Sequence, residues 1–469
     1  MPRFDLLLRG GRLVDPKNEV EGVFDIGIEA GKVVEVGNDL PGAMAWRIVD
    51  LDGYTLIPGV IDTHTHVRGP AQLMMAKAGV CTALDMGDVR GVIDEFHNRG
   101  CGLNIAGLQI VGPPWPHGEP SAQDIAGFVD EVMADGAIGV KILGAYRPAT
   151  LRATALMIEM ANRARVYVAM HAGTLEHGSD FDGMVEAIEL AGDNCLHVAH
   201  VNSYLRGLHR DAAEEALAGL AVLKGKRNIV SESYLAVING TGGKIGKDGL
   251  PESPVARNCL KIGGYSVDDK GFEAAIRDGY AQVYAGEEGG ETVLLSGREG
   301  VELWRAQGTD TGASFRVNSP RSTMLLATTK DEQGEFIVDA ISTDGGNLPR
   351  NVAVQSVLSL VRYGALSMED FIWKVSTVGA LMLGLPGKGH LGVGADADIT
   401  VLDLRLGKAI MTVVGGKVVM AHGVVYGSEG TLLTTGRGER RAREAGLKYQ
   451  IVDPAEMWLY TKRLSGLPG

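Results

Sequence analysis

Between residues 60 and 344 the chain alternates short apolar runs with amphipathic stretches, and no other feature restricts its fold as strongly. Runs at 60–62, 79–86, 103–111, 138–142, 167–171, 196–200, 228–231 and 336–344 have the length of buried strands. Between them, 124–134, 149–163, 181–190 and 209–223 carry helical periodicity, and Ser121 is placed to cap the first through the Ser121-x-x-Asp124 pattern. Repeated strand–helix units in this number predict a closed parallel (β/α)8 TIM-like barrel. An open doubly wound sheet is the alternative, but no Gly-x-Gly-x-x-Gly follows the first strand to support a dinucleotide site.

The flanks read differently. Residues 4–8, 12–14, 25–29, 33–36 and 46–50 are short β-forming runs, with Gly10-Gly11 and Ala30-Gly31 placed as hairpin turns. Residues 389–425 repeat that texture, so both chain ends are expected to build one small β-sandwich domain, from 1–59 and 386–428, around a barrel at 60–385. His171 and His200 are one helix and one strand apart, whereas the interval from His200 to Asp344 is several times longer. It must hold an insertion, placed within about 234–321. Its glycine-rich start at 239–243 reads either as a substrate wall over the strand ends or as a surface elaboration. Residues 429–469 form a tail, basic and then aromatic at Trp458-Leu459-Tyr460, expected to dock on a neighbouring surface such as another subunit or to lie in solvent.

Charge and composition narrow the function. A net charge of −13 has the wrong sign for nucleic acid. No apolar run reaches the roughly 20 residues that span a bilayer, and no cleavable leader follows Met1, so a cytoplasmic location without a membrane partner is expected. Cys81, Cys101, Cys195 and Cys259 lack the spacing of a disulfide framework or a cysteine zinc site.

The chemistry begins at Pro58-Gly59-Val60-Ile61-Asp62-Thr63-His64-Thr65-His66-Val67-Arg68. Two apart on a strand, His64 and His66 project from one face and can share a metal ion, although a histidine pair at a sheet edge can also be merely polar. Further along, Lys141, His171, His200 and Asp344 each fall where a strand gives way to the next loop, the end at which barrel active sites are built. His197, three residues before His200, is expected on the opposite face as a core histidine, and Asp339 as a structural carboxylate earlier in the last strand.

These residues resemble the amidohydrolase superfamily, in its hydantoinase, dihydroorotase and D-aminoacylase branch. The first-strand motif, Ala78-Gly79-Val80-Cys81-Thr82 with Asp85-Met86, and residues 389–403 (Gly-His-Leu-Gly-Val-Gly-Ala-Asp-Ala-Asp-Ile-Thr-Val-Leu-Asp) carry the likeness across nearly the whole chain. The resemblance implies a binuclear centre of two divalent ions, expected to be zinc, with His64 and His66 on the more buried ion and His171 and His200 on the more exposed one. It further implies that Lys141 is carboxylated by CO2 to a bridging carbamate. Asp344 would complete the metal set and act as general base and acid for a metal-bridging hydroxide that attacks the amide carbon. Tyr146 matches an oxyanion donor of hydantoinases, and Arg68 a carboxylate-binding arginine of dihydroorotases. Their bland readings are a packing tyrosine and a surface arginine.

The implied activity is hydrolysis of a non-peptide C–N bond in a small cyclic amide or N-acyl amino acid bearing a carboxylate, by a homo-oligomeric enzyme. Asn202-Ser203 and Gly345-Gly346-Asn347-Leu348-Pro349 depart from the hydantoinase and dihydroorotase patterns, at positions where Asn202 and Asn347 are expected to touch substrate. A D-aminoacylase-like or enamidase-like deacylase therefore stays open, as do a non-catalytic hydantoinase-like scaffold and a metal-dependent decarboxylase or isomerase on the same barrel.

Overall fold

The computed structural model describes residues 3–111 and 119–462. Eight parallel strand positions close the barrel: Val60–His66, Val80–Asp85, Cys101–Val111, Gly139–Leu143, Tyr167–His171, Leu196–Val198, Ile229–Ser233 and a split eighth. The eighth consists of Ala340–Ile341, paired with the seventh strand, and Gly345–Gly346, paired with the first, so the two pieces close the ring on either side of Asp344. The expected strand over 336–344 is thus much shorter and interrupted: Ser342 N still bonds the Ser233 carbonyl, but Thr343 N bonds the Asp62 carboxylate and Asp344 takes a left-handed φ of 47°. The strands read as continuous apolar runs because helices cover their outer face; Val80–Asp85 is buried throughout.

Local signals set the helix starts. Ser121 caps Ala122–Ala134 with a full capping box through Asp124, and Thr150 and Asp211 cap Leu151–Arg163 and Ala212–Leu223 through their side-chain oxygens. Each cap satisfies a backbone N–H that the first helical turn leaves unpaired.

Both chain ends hydrogen-bond into one nine-stranded sheet, in which Thr55–Pro58 pairs antiparallel with Ile399–Asp403, and this β-sandwich keeps an apolar cluster of its own. The expected turn at Gly10-Gly11 is not there. Leu6–Asp15 is one strand, and the glycines form a bulge within it: Gly10 has φ 70°, and its N–H donates to the Asp25 carboxylate at 2.8 Å. Two adjacent glycines signal a positive-φ position, and a bulge meets that need as well as a hairpin does.

The insertion folds as a four-stranded sheet of Asn239–Gly242, Ala281–Glu288, Glu291–Leu295 and Gly312–Phe315, with three helices around a separate apolar core. Trp304 is fully buried there, stacked on Phe272 at 5.0 Å, with its indole N–H donating to the Gly243 carbonyl at 2.9 Å. Trp304→Ala should cost about 3–5 kcal/mol of insertion stability. Urea denaturation followed by tyrosine and tryptophan fluorescence should show an early transition in this variant.

The tail packs on its own chain. Glu429–Thr434 runs parallel to Cys101–Val111 outside the barrel, and the Tyr460 hydroxyl donates to the Val166 carbonyl at 2.6 Å. Its aromatic cluster therefore covers this barrel, where the sequence had also suggested another subunit. Among the described residues no helix is long and apolar enough to cross a membrane.

Candidate active site

His64 and His66 stand at the end of the first strand, and Asp344 stands beside them in the break of the eighth. One ligand atom from each lies within 4.8 Å of the other two. His66 Nε2 is 3.1 Å and His64 Nε2 3.4 Å from Asp344 Oδ1. The rings of His64 and His200 are 4.9 Å apart, and those of His200 and His171 are 4.5 Å apart, so four imidazoles from strands one, five and six form one group. Two of the residues are held in the left-handed region, His200 at φ 34° and Asp344 at φ 47°. Such backbone costs of order 1–3 kcal/mol for a side chain other than glycine, and it concentrates where function requires a particular aim.

The supporting contacts fix which imidazole nitrogens are free. Glu232, fully buried on the seventh strand, is 2.7 Å from His64 Nδ1, accepts the His200 backbone N–H at 2.5 Å and accepts the Ser342 hydroxyl. A carboxylate on Nδ1 fixes that nitrogen as the donor and leaves the Nε2 lone pair toward Asp344, the arrangement that orients histidines for a metal. His171 Nε2 is likewise 2.9 Å from Ser179 Oγ. Burial holds His64, His171 and His200 well below the usual imidazole range, so all three are neutral donors at pH 7. Asp62, pushed up to about 7 by burial, accepts from the backbone of His64 at 3.2 Å and of Thr343 at 3.1 Å, which ties the first strand to the residue before Asp344.

Lys141 is 1% exposed, and among the described residues the one hydrogen-bond partner of its Nζ is the Met86 thioether at 3.8 Å. Burial lowers this amine to about 8, against the pull of Glu232 and Asp344. About a tenth is therefore uncharged at pH 7, the form that attack on CO2 requires, and far more than for an ordinary lysine. For Asp344 burial favours the neutral acid, but the Arg350 guanidinium, 2.9 Å from Oδ2, and the nearby imidazoles hold the carboxyl well below the ordinary carboxylate range.

These groups open into a cavity of about 430 Å³ lined also by Arg68, Tyr146, Arg147, Ser203, Arg206, Asn347 and Arg350. Asn239, Gly240, Thr241, Gly242 and Val255 complete it, so the insertion forms a wall of the cavity. Tyr146 lies edge-on to His171 and donates to Thr241 Oγ1 at 3.3 Å, while Asn347 N donates to the His66 carbonyl at 3.1 Å. Gly346 precedes it at φ 79°, where a Cβ would meet the His66 carbonyl at 2.2 Å; only glycine lets the two strands approach this closely.

Asn202 is not among the lining residues. Its Oδ1 accepts from the Tyr234 backbone at 3.0 Å, because the short helical turn after His200 aims it at the seventh strand. His197 is a fully buried core histidine, as expected, but not on an outward face. It faces the barrel interior, 3.1 Å from the Tyr167 hydroxyl and 3.8 Å from Glu232. Strand alternation does not link it to His200, since the strand ends at Val198. Asp339 is structural as expected, accepting from Ser231 N and pairing with Lys462. Glu232, Arg206 and Arg350 went unrecognised in the sequence. Glu232 obeys the same rule as Lys141, a polar residue at the end of a barrel strand, but the run at 228–231 was closed one residue too early.

The model of the Amidohydrolase family matches residues 343–420, the segment that begins beside Asp344. A dihydroorotase of Elusimicrobium minutum is 41% identical over 447 residues, covering 85% of this chain and 88% of the relative. The chain belongs to the amidohydrolase family. It is an enzyme of the branch holding dihydroorotases, hydantoinases and D-aminoacylases, hydrolases of C–N bonds other than peptide bonds. Among solved structures, the amidohydrolase shares its fold with N-acyl-D-glutamate deacylase of Bordetella bronchiseptica, solved with zinc and a phosphonate mimic of the tetrahedral intermediate. The TM-score is 0.67 at 14% identity, over 91% of this chain and 98% of that one. D-aminoacylase, described with a binuclear metal centre, aligns with a TM-score of 0.64 at 17% identity, over 91% and 99%.

Proposed function

We propose that this amidohydrolase is a metal-dependent hydrolase of a small, carboxylate-bearing cyclic amide or N-acyl amino acid. The observation that carries the reading is the convergence of His64, His66 and Asp344 within 4.8 Å, beside the His171 and His200 rings and the buried Lys141 amine. Neutral imidazoles and carboxylates suit zinc and other divalent first-row ions. A lysine amine brings no negative charge to a cation and as an ammonium cannot ligate one, whereas a CO2-derived carbamate on Lys141 supplies the anion that two divalent ions need. His64 and His66 would then hold one ion, His171 and His200 the other, with the Lys141 carbamate between them and Asp344 completing the set. Ions bound there supply Lewis acidity to the amide carbonyl and bring a water to ionise near neutral pH.

This chain's own residues do the rest. Asp344, kept anionic beside Arg350, takes the proton from the attacking water and returns it to the leaving nitrogen. The Tyr146 hydroxyl, at the cavity edge, donates to the oxygen that gains charge as the carbon becomes tetrahedral. Arg68 offers a planar fork to the substrate carboxylate, and Asn347 borders the same space.

Metal-loaded enzyme offered dihydroorotate, dihydrouracil, substituted hydantoins and N-acetyl amino acids should open or deacylate at least one of these classes and lose that activity on dialysis against chelator. Turnover of none by protein of verified metal content would leave the scaffold reading. Glu232→Gln should weaken metal affinity by roughly 10–100-fold, the usual loss when a group orienting a metal-binding histidine is removed. Competition with a colorimetric zinc chelator would read this directly.

A further inference from the structure

Arg206 is as deeply placed as Arg350, at 7% exposure against 3%, yet the two have opposite surroundings. Arg350 pairs with Asp344, whereas Arg206 is in no ion pair among the described residues. Its Nε donates to Asn318 Oδ1 at 2.7 Å, and its Nη2 donates to Ser203 Oγ at 2.9 Å and to the Tyr234 hydroxyl at 3.1 Å. All three acceptors are neutral, and Nη1 has no partner among the described residues. A guanidinium cannot shed its proton to escape burial, and a buried charge without a counter-ion is costly. The neutral dipoles fix its direction without neutralising it.

A buried amide lies on the same wall. Asn239, 4% exposed, accepts the Tyr234 hydroxyl proton on Oδ1 at 2.9 Å, which turns its Nδ2 the other way. That Nδ2 is turned to the Cys259 thiol and has no oxygen partner among the described residues, so Asn239 shapes the wall and holds Tyr234 rather than offering a free donor. Ser203, Arg206 and Asn239 all line the cavity of the metal-site histidines. Arg206 reaches it from the loop after the sixth strand and Asn239 from the insertion, whereas Arg68 reaches it from the loop after the first.

We propose that Arg206, held by neutral partners on the wall that Asn239 helps to build, forms a second anion subsite that takes a carboxylate, so that the substrate is an amide carrying two acidic groups, one for Arg68 and one for Arg206. This rests on the hydrolase reading for the place of the scissile bond, but not for the binding itself. The insertion then has a use: it completes a specificity wall with a fixed Asn239 and a covered Arg206.

The test is calorimetric titration of metal-loaded enzyme with glutarate, butyrate and inorganic phosphate at low ionic strength. Glutarate should bind at least about 10-fold more tightly than butyrate, the difference expected for one more charge-assisted hydrogen-bonded group. Arg206→Met should erase that advantage and leave butyrate unchanged, with Arg206→Lys in between. The methionine variant should also melt no lower than the wild type, because it removes an uncompensated buried charge. Equal loss of glutarate and butyrate, or no preference for glutarate in the wild type, would overturn the subsite. Phosphate binding more tightly than glutarate through Arg206 would overturn the carboxylate assignment. Should the methionine variant not fold, Arg206→Lys carries the same comparison, since it keeps the charge and loses the fork. Glutarate binding through Arg206 by an enzyme that cleaves no amide would fail the hydrolase reading alone; turnover of singly charged amides with no glutarate preference would fail the subsite alone.

Discussion

Lys141→Ala is expected to lower the metal content of the purified enzyme from about two ions per chain to one or fewer. Its amide hydrolysis should fall by at least about 100-fold, since losing even a group that only orients a ligand costs 10–100-fold. The side chain is buried among His64, His171, His200, Glu232 and Asp344, and its amine is already drawn down to about 8. Left as an ammonium it would repel divalent cations. Carboxylated, by loss of two protons from the ammonium and gain of CO2 at Nζ, it becomes the anion that the imidazoles do not supply. Metal uptake by stripped protein should therefore also depend on dissolved CO2: reconstitution in degassed, bicarbonate-free buffer should give less bound metal than reconstitution with bicarbonate, and Lys141→Ala should be indifferent to the change. Elemental analysis of both preparations decides the matter. An undiminished metal content in the alanine variant would reject the bridging role and point to a mononuclear site on His64, His66 and Asp344.

The sequence disclosed the barrel because its signals are local and repeated. An apolar run followed by a capped amphipathic helix has one economical packing, and Ser121 marks the first helix start through its pattern with Asp124. His64, His66, Lys141, His171 and Asp344 were legible for a related reason: each sits at a strand end, and parallel strands deliver their ends to one face. What stayed hidden depends on long-range geometry. Arg206 and Arg350 lie on loops, where no periodicity says which way a side chain turns, and only the folded chain shows one beside Asp344 and the other without a counter-ion. Asn202 was expected at the substrate because the resemblance places substrate contacts just after His200, but the left-handed backbone at His200 and the turn after it send the Asn202 amide to Tyr234 instead. The Gly10-Gly11 bulge belongs to the same class, since a positive φ is legible in the sequence and the partner strand that turns it into a bulge is not.

Asp344→Asn should reduce turnover by about 10²–10⁴-fold, the usual contribution of a positioned acid–base group. It should also lower stability, and the two effects have separate causes. The asparagine leaves the Arg350 guanidinium, 3% exposed, without the anion 2.9 Å away, and breaking a buried pair on one side costs about 3–5 kcal/mol. Adding Arg350→Met should recover most of that stability, because an apolar side chain of similar length fills the space without a charge. Activity should not return, since neither amide nor thioether can accept the proton of the attacking water. Denaturation midpoints and turnover measured across the two single variants and the double variant form a cycle that tells these roles apart. If the double variant regained turnover along with stability, Asp344 would be holding the fold of the eighth strand rather than moving the proton, and the base would have to be sought at Asp85, the other carboxylate that lines the cavity among the described residues.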